Sequence, residues 1–103
     1  MHKLTVYIPE SHLELVKEAI FNTGAGFYGA YDRCCWEILG KSQFRPLAGS
    51  NSFIGKKGIV EEIPEYRVEI LCTDDLVPAV SAAIRSSHPY EEPAFDFVHI
   101  VDH

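Results

Sequence analysis

Two β-α-β runs separated by a long glycine-rich stretch predict an α+β fold, a four-stranded antiparallel sheet with both helices on one face. Three observations carry this. Four segments alternate apolar and polar residues at the period of a strand, two others repeat apolar residues at helical spacing, and each helix falls between two strands. Right-handed crossovers around each helix then give the ferredoxin-like βαββαβ arrangement, expected to be a single domain over residues 1–103.

The first strand is residues 3–8, where Leu4, Val6 and Ile8 alternate with Lys3, Thr5 and Tyr7 before Pro9 ends the run. Helix one covers about 11–23: Ser11 and Glu14 have capping-box spacing, Leu13, Val16 and Ile20 share a face, and Gly24 supplies a stop. Alternation returns from Tyr31 to Gly40 as strand two, with Cys34, Trp36 and Ile38 on one side and Arg33, Cys35 and Glu37 on the other. Residues 40–58 keep neither period and form a long excursion. Strand three is Tyr66 to Cys72, with Ile59 to Ile63 able to extend it backwards. Thr73 and the acidic pair Asp74–Asp75 open helix two, whose stripe is Leu76, Val80, Ala83 and Ile84 and whose end is set by His88–Pro89. Ala94 to Val101 is strand four.

Composition excludes several classes. The chain has 103 residues, 47% of them apolar, and a net charge of −6, which leaves no clustered positive surface for nucleic acid and argues against disorder. No run reaches the eighteen or so apolar residues of a membrane span, and no apolar leader is evident; with three cysteines and no disulfide framework, the expectation is a cytoplasmic protein with reduced thiols. Gly24–Ala25–Gly26–Phe27–Tyr28–Gly29 fits G-x-G-x-x-G, but it follows a helix and opens a strand, the reverse of a dinucleotide site, so its glycines are read as turn residues. Cys34 and Cys35, being neighbours in a strand, point to opposite faces; Cys34 is expected in the core and Cys35 at an interface.

Two segments hold the candidate chemistry. His88–Pro89–Tyr90–Glu91–Glu92–Pro93 combines an imidazole with two carboxylates on a backbone stiffened by two prolines. Helix capping and turn hydrogen bonds are the bland alternative, and zinc-type spacings are absent. In the 40–58 excursion, Phe44, Leu47, Phe53 and Ile54 argue against disorder, and Arg45 is a candidate anion contact. His2, His12, His99 and His103 read as solvated or packed histidines.

The series Gly24–Ala25–Gly26 to Tyr31–Asp32–x–Cys34, Phe44–Arg45–Pro46 to Phe53–Ile54–Gly55, and His88 to Asp96 resembles the inserted domain of the YqfO-type (NGG-interacting-factor-like) dinuclear-metal proteins. The resemblance implies a domain similar to the CutA cation-tolerance and PII signalling proteins, which tend to trimerise and use the loop between strands two and three for regulatory contacts. The residues that hold two metal ions in the full-length proteins lie in flanking domains, so a dimetal site is not implied for this chain.

The expected function is a non-catalytic, oligomeric binding or regulatory module, taking a divalent cation or a small ligand. The candidate ligand-binding residues are His88, Tyr90, Glu91, Glu92, Arg45 and Tyr31, with His88 and Glu92 as metal ligands and the 40–58 loop as a surface for a protein partner. The alternative is an enzyme with an intersubunit site using His88 and Glu91 or Glu92 as acid and base. Self-association, as a trimer before a dimer, follows from the sheet face without helices. With Val6, Trp36 and Ile70 turned to the helices, that face carries Tyr7, Tyr31, Cys35, Leu71 and half of strand four, either Phe95 and Phe97 or Val98 and Ile100, too apolar to be left to water.

Overall fold

In the computed structural model, which describes residues 1–101, the elements run β1 (His2–Pro9), α1 (Leu13–Phe21), β2 (Trp36–Phe44), β3 (Glu61–Cys72), α2 (Val77–Ser87) and β4 (Phe95–His99). The sheet is antiparallel with strand order β2-β3-β1-β4, and its two central strands come from the two halves of the chain. Val6 faces Val68 on one side and Phe95 on the other, and Leu4 lies between Ile70 and Phe97. These residues pack under Val16 and Ile20 of α1 and Val80 and Ile84 of α2, all essentially inaccessible. Phe95 and Phe97 are thus the half of β4 on the helix side, and Val98, opposite Lys3, lies on the other face.

Both helices open differently from the sequence reading. Each is preceded by a single 3₁₀ turn, Glu10–His12 and Asp74–Leu76, and neither Ser11 nor Thr73 makes a capping bond; the Ser11 hydroxyl is paired instead with the His12 ring. Helix α2 tolerates Pro78 in its first turn and ends at His88, whose extended backbone is what a following proline requires.

The larger departure is in β2. Strand two was expected from Tyr31, but Tyr28 and Tyr31 close a tight reciprocal turn and Arg33 takes a left-handed φ of 54°, so regular pairing starts only at Trp36. This resets the alternation. Trp36 pairs with Glu69 and Ile38 with Arg67, which places both on the face away from the helices, whereas Glu37 pairs with Val68 on the helix side. The expectation that Trp36 faces the helices is therefore overturned, and with it the core position of Cys34, which is only half-buried. Upstream, the glycine-rich motif is a turn between α1 and β2. Gly26 has φ +89°, and a Cβ there would lie 2.9 Å from the Phe21 ring.

Strand β2 continues to Phe44 and β3 begins at Glu61, so the connection is 45–60 and the β2-β3 hairpin projects past the end of β1. The molecule measures 47 × 24 × 24 Å as a result.

Candidate functional site

By strand alternation, Ser42 and Phe44 of β2, Ile63 and Glu65 of β3, and Tyr7 of β1 share the helix-free face at the hairpin end of the sheet. The 45–60 connection folds back on them. Gly58 N–H donates to the Pro46 carbonyl at 2.7 Å and closes the base of the loop. Gly55 sits at φ +95°, where a Cβ would come within 2.8 Å of the Glu61 side chain, so only glycine fits this crossing. Asn51 N–H donates to the Glu91 carboxylate at 3.1 Å, and the Phe53 ring stands against His12 and Tyr90. The loop and the His88–Pro93 segment thus meet.

Between them lies a cleft of about 460 Å³, within the size range of small-molecule sites. Phe44, Phe53, Leu47 and Ile54 give it an apolar lining, and Arg45, Glu65, Tyr90, Glu91 and Glu92 supply polar groups. Two buried hydroxyls on its wall, Ser42 Oγ and Tyr90 OH, make no hydrogen bond of regular geometry among the described residues. Burial, and then the Glu65 carboxylate beside it, push the Tyr90 phenol pKa well above its ordinary value. A phenol this reluctant to ionise is a donor.

His88 lies behind this wall, 7% exposed. Its Nδ1 accepts the Tyr90 backbone N–H at 3.1 Å, so Nε2 carries the proton and donates it to the Tyr7 carbonyl at 2.7 Å. Burial is the main cause that holds the imidazole pKa below its usual value, partly offset by the Tyr7 bond. Both ring nitrogens are engaged within the chain, and in this arrangement neither presents a lone pair to a metal ion or a proton-transfer position to the cleft.

Of the residues singled out by sequence, Arg45, Tyr90, Glu91 and Glu92 are brought to one cleft. Tyr31, 72% exposed, is elsewhere: it borders a shallow depression with Phe27, Tyr28, Trp36 and Leu71 at the other end of the same sheet face. Among the described residues no three His, Cys, Asp or Glu side chains are grouped to hold a metal ion. His103 lies outside the described residues. Sequence reasoning missed Ser42, Glu65 and Tyr7. Only Glu65 left a trace, as a charge two residues from Ile63 on a face where burial demands apolar side chains.

No family model matches the chain. It is 42% identical over 96 residues to the GTP cyclohydrolase 1 type 2 homolog of Halalkalibacterium halodurans, covering 93% of this chain and 26% of that protein. The counterpart from Mycobacterium tuberculosis is 41% identical over 101 residues, 98% of this chain and 27% of that one. The chain spans about a quarter of the length of the curated relatives it matches. Among solved structures, the Bacillus cereus protein related to NIF3 superposes with a TM-score of 0.80 at 33% identity, over 93% of this chain and 24% of that one. The periplasmic divalent cation tolerance protein CutA from Archaeoglobus fulgidus superposes with a TM-score of 0.71 at 16% identity, over 100% of this chain and 87% of that one. The second likeness establishes the fold alone.

Proposed function

We propose, on the premise that this CutA/PII-like chain is related over nearly its full length to one segment of the YqfO-type proteins, that it is a self-associating binding module and that its cleft takes a small ligand. The supporting observation is convergence: two segments about forty residues apart meet on a cavity whose wall keeps the Ser42 hydroxyl buried with no hydrogen bond among the described residues. Binding is favoured over acid-base catalysis because His88 is spent on the backbone of Tyr7 and Tyr90. A divalent cation is not favoured as the ligand, because the donors that would hold it are not gathered.

The test is ligand-observed NMR with three single-ring probes, benzamidine, benzyl alcohol and benzoate. At least one should show saturation transfer, and Ser42→Trp, which fills the cleft from β2, should abolish it while the circular dichroism spectrum is retained. No transfer to any probe, or transfer that survives the filling, refutes the reading.

Self-association belongs to the other end of the helix-free face, where Trp36, Ile38, Leu71 and Val98 form an apolar surface around the Lys3–Glu69–Arg67 ion pairs. We place a second copy of the chain there, as a trimer before a dimer. Sedimentation equilibrium at micromolar concentration should give a mass above 11.6 kDa, and a monomer refutes this. Ile59 and Val60, exposed at the end of the connection just before β3, are where a protein partner would dock.

A further inference from the structure

Glu65 sets the chemistry of the cleft. Its carboxylate lines the cavity although the residue is 7% exposed, and it forms no ion pair with any Lys or Arg among the described residues. Burying a carboxylate without a cationic partner is costly, and the one O–H of Tyr90 can satisfy only part of an acceptor that has about four lone-pair sites. Its other titratable neighbour, His88, is committed elsewhere. Glu91 and Glu92 add negative charge against the single guanidinium of Arg45, so the cavity as a whole favours positive charge.

The rings of Phe44 and Phe53 both lie against Tyr90, with centroids 6.5 and 6.3 Å away, and all three line the cleft. Aromatic faces attract cations, most strongly where water is excluded. A buried carboxylate set among rings is complementary to one ligand geometry: a flat group with two N–H donors side by side, which a carboxylate accepts in a bidentate pair.

We propose that the cleft binds a small planar cation of the amidine or guanidine class, its paired N–H groups donating to Glu65 and its flat body lying against Phe44, Phe53 and Tyr90. This rests on the reading of the cleft as a ligand site and names the ligand's chemistry. Arg45, exposed at the cavity and without an ion pair among the described residues, favours ligands that also carry an anionic group. The volume suits a free small molecule.

The same three probes decide it, since they share a ring and differ in one substituent. By isothermal titration the wild-type chain should bind benzamidine about tenfold or more tighter than benzyl alcohol, with benzoate weakest. Glu65→Gln should erase the preference for benzamidine and leave benzyl alcohol affinity within about twofold, whereas Glu92→Gln should lower benzamidine binding by about threefold or less. Equal affinity for benzamidine and benzyl alcohol, or tighter binding of benzoate, overturns the proposal while leaving the cleft a ligand site. A preference that survives Glu65→Gln overturns it too. Should that variant fail to fold, the order of the three probes on the wild-type chain decides alone. Failure of all three to bind sinks the ligand class and the site together.

Discussion

Ile63 and Ile38 lie on the same face of the sheet, on adjacent strands, with the same side chain, yet Ile63 is 9% exposed and Ile38 is 51% exposed. The difference is the 45–60 loop. It folds over the hairpin end of the helix-free face, burying Ile63 and Glu65, and stops short of Trp36, Ile38 and Leu71. The sequence left two covers open for this face, the chain's own loop or another copy of the chain. The structure divides it: the loop covers one end, and the other end carries the exposed aromatic and aliphatic residues. A buried end that keeps a carboxylate and buried hydroxyls looks like a binding site, and an exposed end that keeps a tryptophan looks like a contact surface.

The sharpest test of that contrast is a matched pair of truncations. Ile63→Ala should destabilise the chain by about 2–4 kcal/mol in urea denaturation, as for a buried aliphatic, while Ile38→Ala should cost about 0.5 kcal/mol or less in the monomer. Equal losses would mean that the loop does not cover Ile63 in solution. Next in size is association. Trp36→Glu should weaken self-association by about tenfold or more in sedimentation equilibrium and leave probe binding at the cleft unchanged, because the residue is 57% exposed and belongs to the other end. Loss of both properties together would join the two ends into one site.

A smaller effect is expected from pH. Burial holds the His88 imidazole below its ordinary pKa of 6.5, so as pH falls through that value the unfolded chain takes up a proton that the folded chain resists. The unfolded state then binds more protons, and the contribution to stability, complete above about pH 6.5, is lost progressively below it. The urea midpoint should therefore fall between about pH 7.5 and 5.5, and His88→Gln, less stable at the upper pH, should show a shallower slope across that window. A wild-type midpoint that does not move would mean that the ring is not buried neutral. The smallest change is at the ion pair joining α1 to β2, Lys17 Nζ to Glu37 Oε1 at 2.7 Å: Glu37→Gln should cost about 0.5–1 kcal/mol at low salt and less at high salt.

Much of this fold was legible because periodicity reports burial. Leu4, Val6 and Ile8 announce a strand with one buried face, and Val80 with Ile84 a helix stripe, and each lies in the core. The reading failed where backbone conformation rather than side-chain pattern decides the outcome. The alternation from Tyr31 to Ile38 looks unbroken, but a left-handed residue at Arg33 reverses its faces, and nothing in the side chain of an arginine signals that. At the site, the two segments were visible as stiff or structureless anomalies, and their meeting was not, because it depends on how the loop folds. Glu65 was missed since it becomes a buried carboxylate only once that loop lies over it.

Strand β3 runs twelve residues without a bulge and supplies both ends of the divided face, Ile63 and Glu65 to the cleft and Arg67, Glu69 and Leu71 to the open surface. Its length is therefore not free to vary. Deleting or inserting one residue between Ile63 and Leu71 would shift one part of the strand against the other and exchange its two faces, turning charged side chains toward the helices or Val68 and Ile70 toward water. Changes in chain length must be absorbed in the 45–60 connection, where an added residue costs little loop-closure entropy. Homologous chains of different length should accordingly differ in the roof of the cleft while keeping its carboxylate floor.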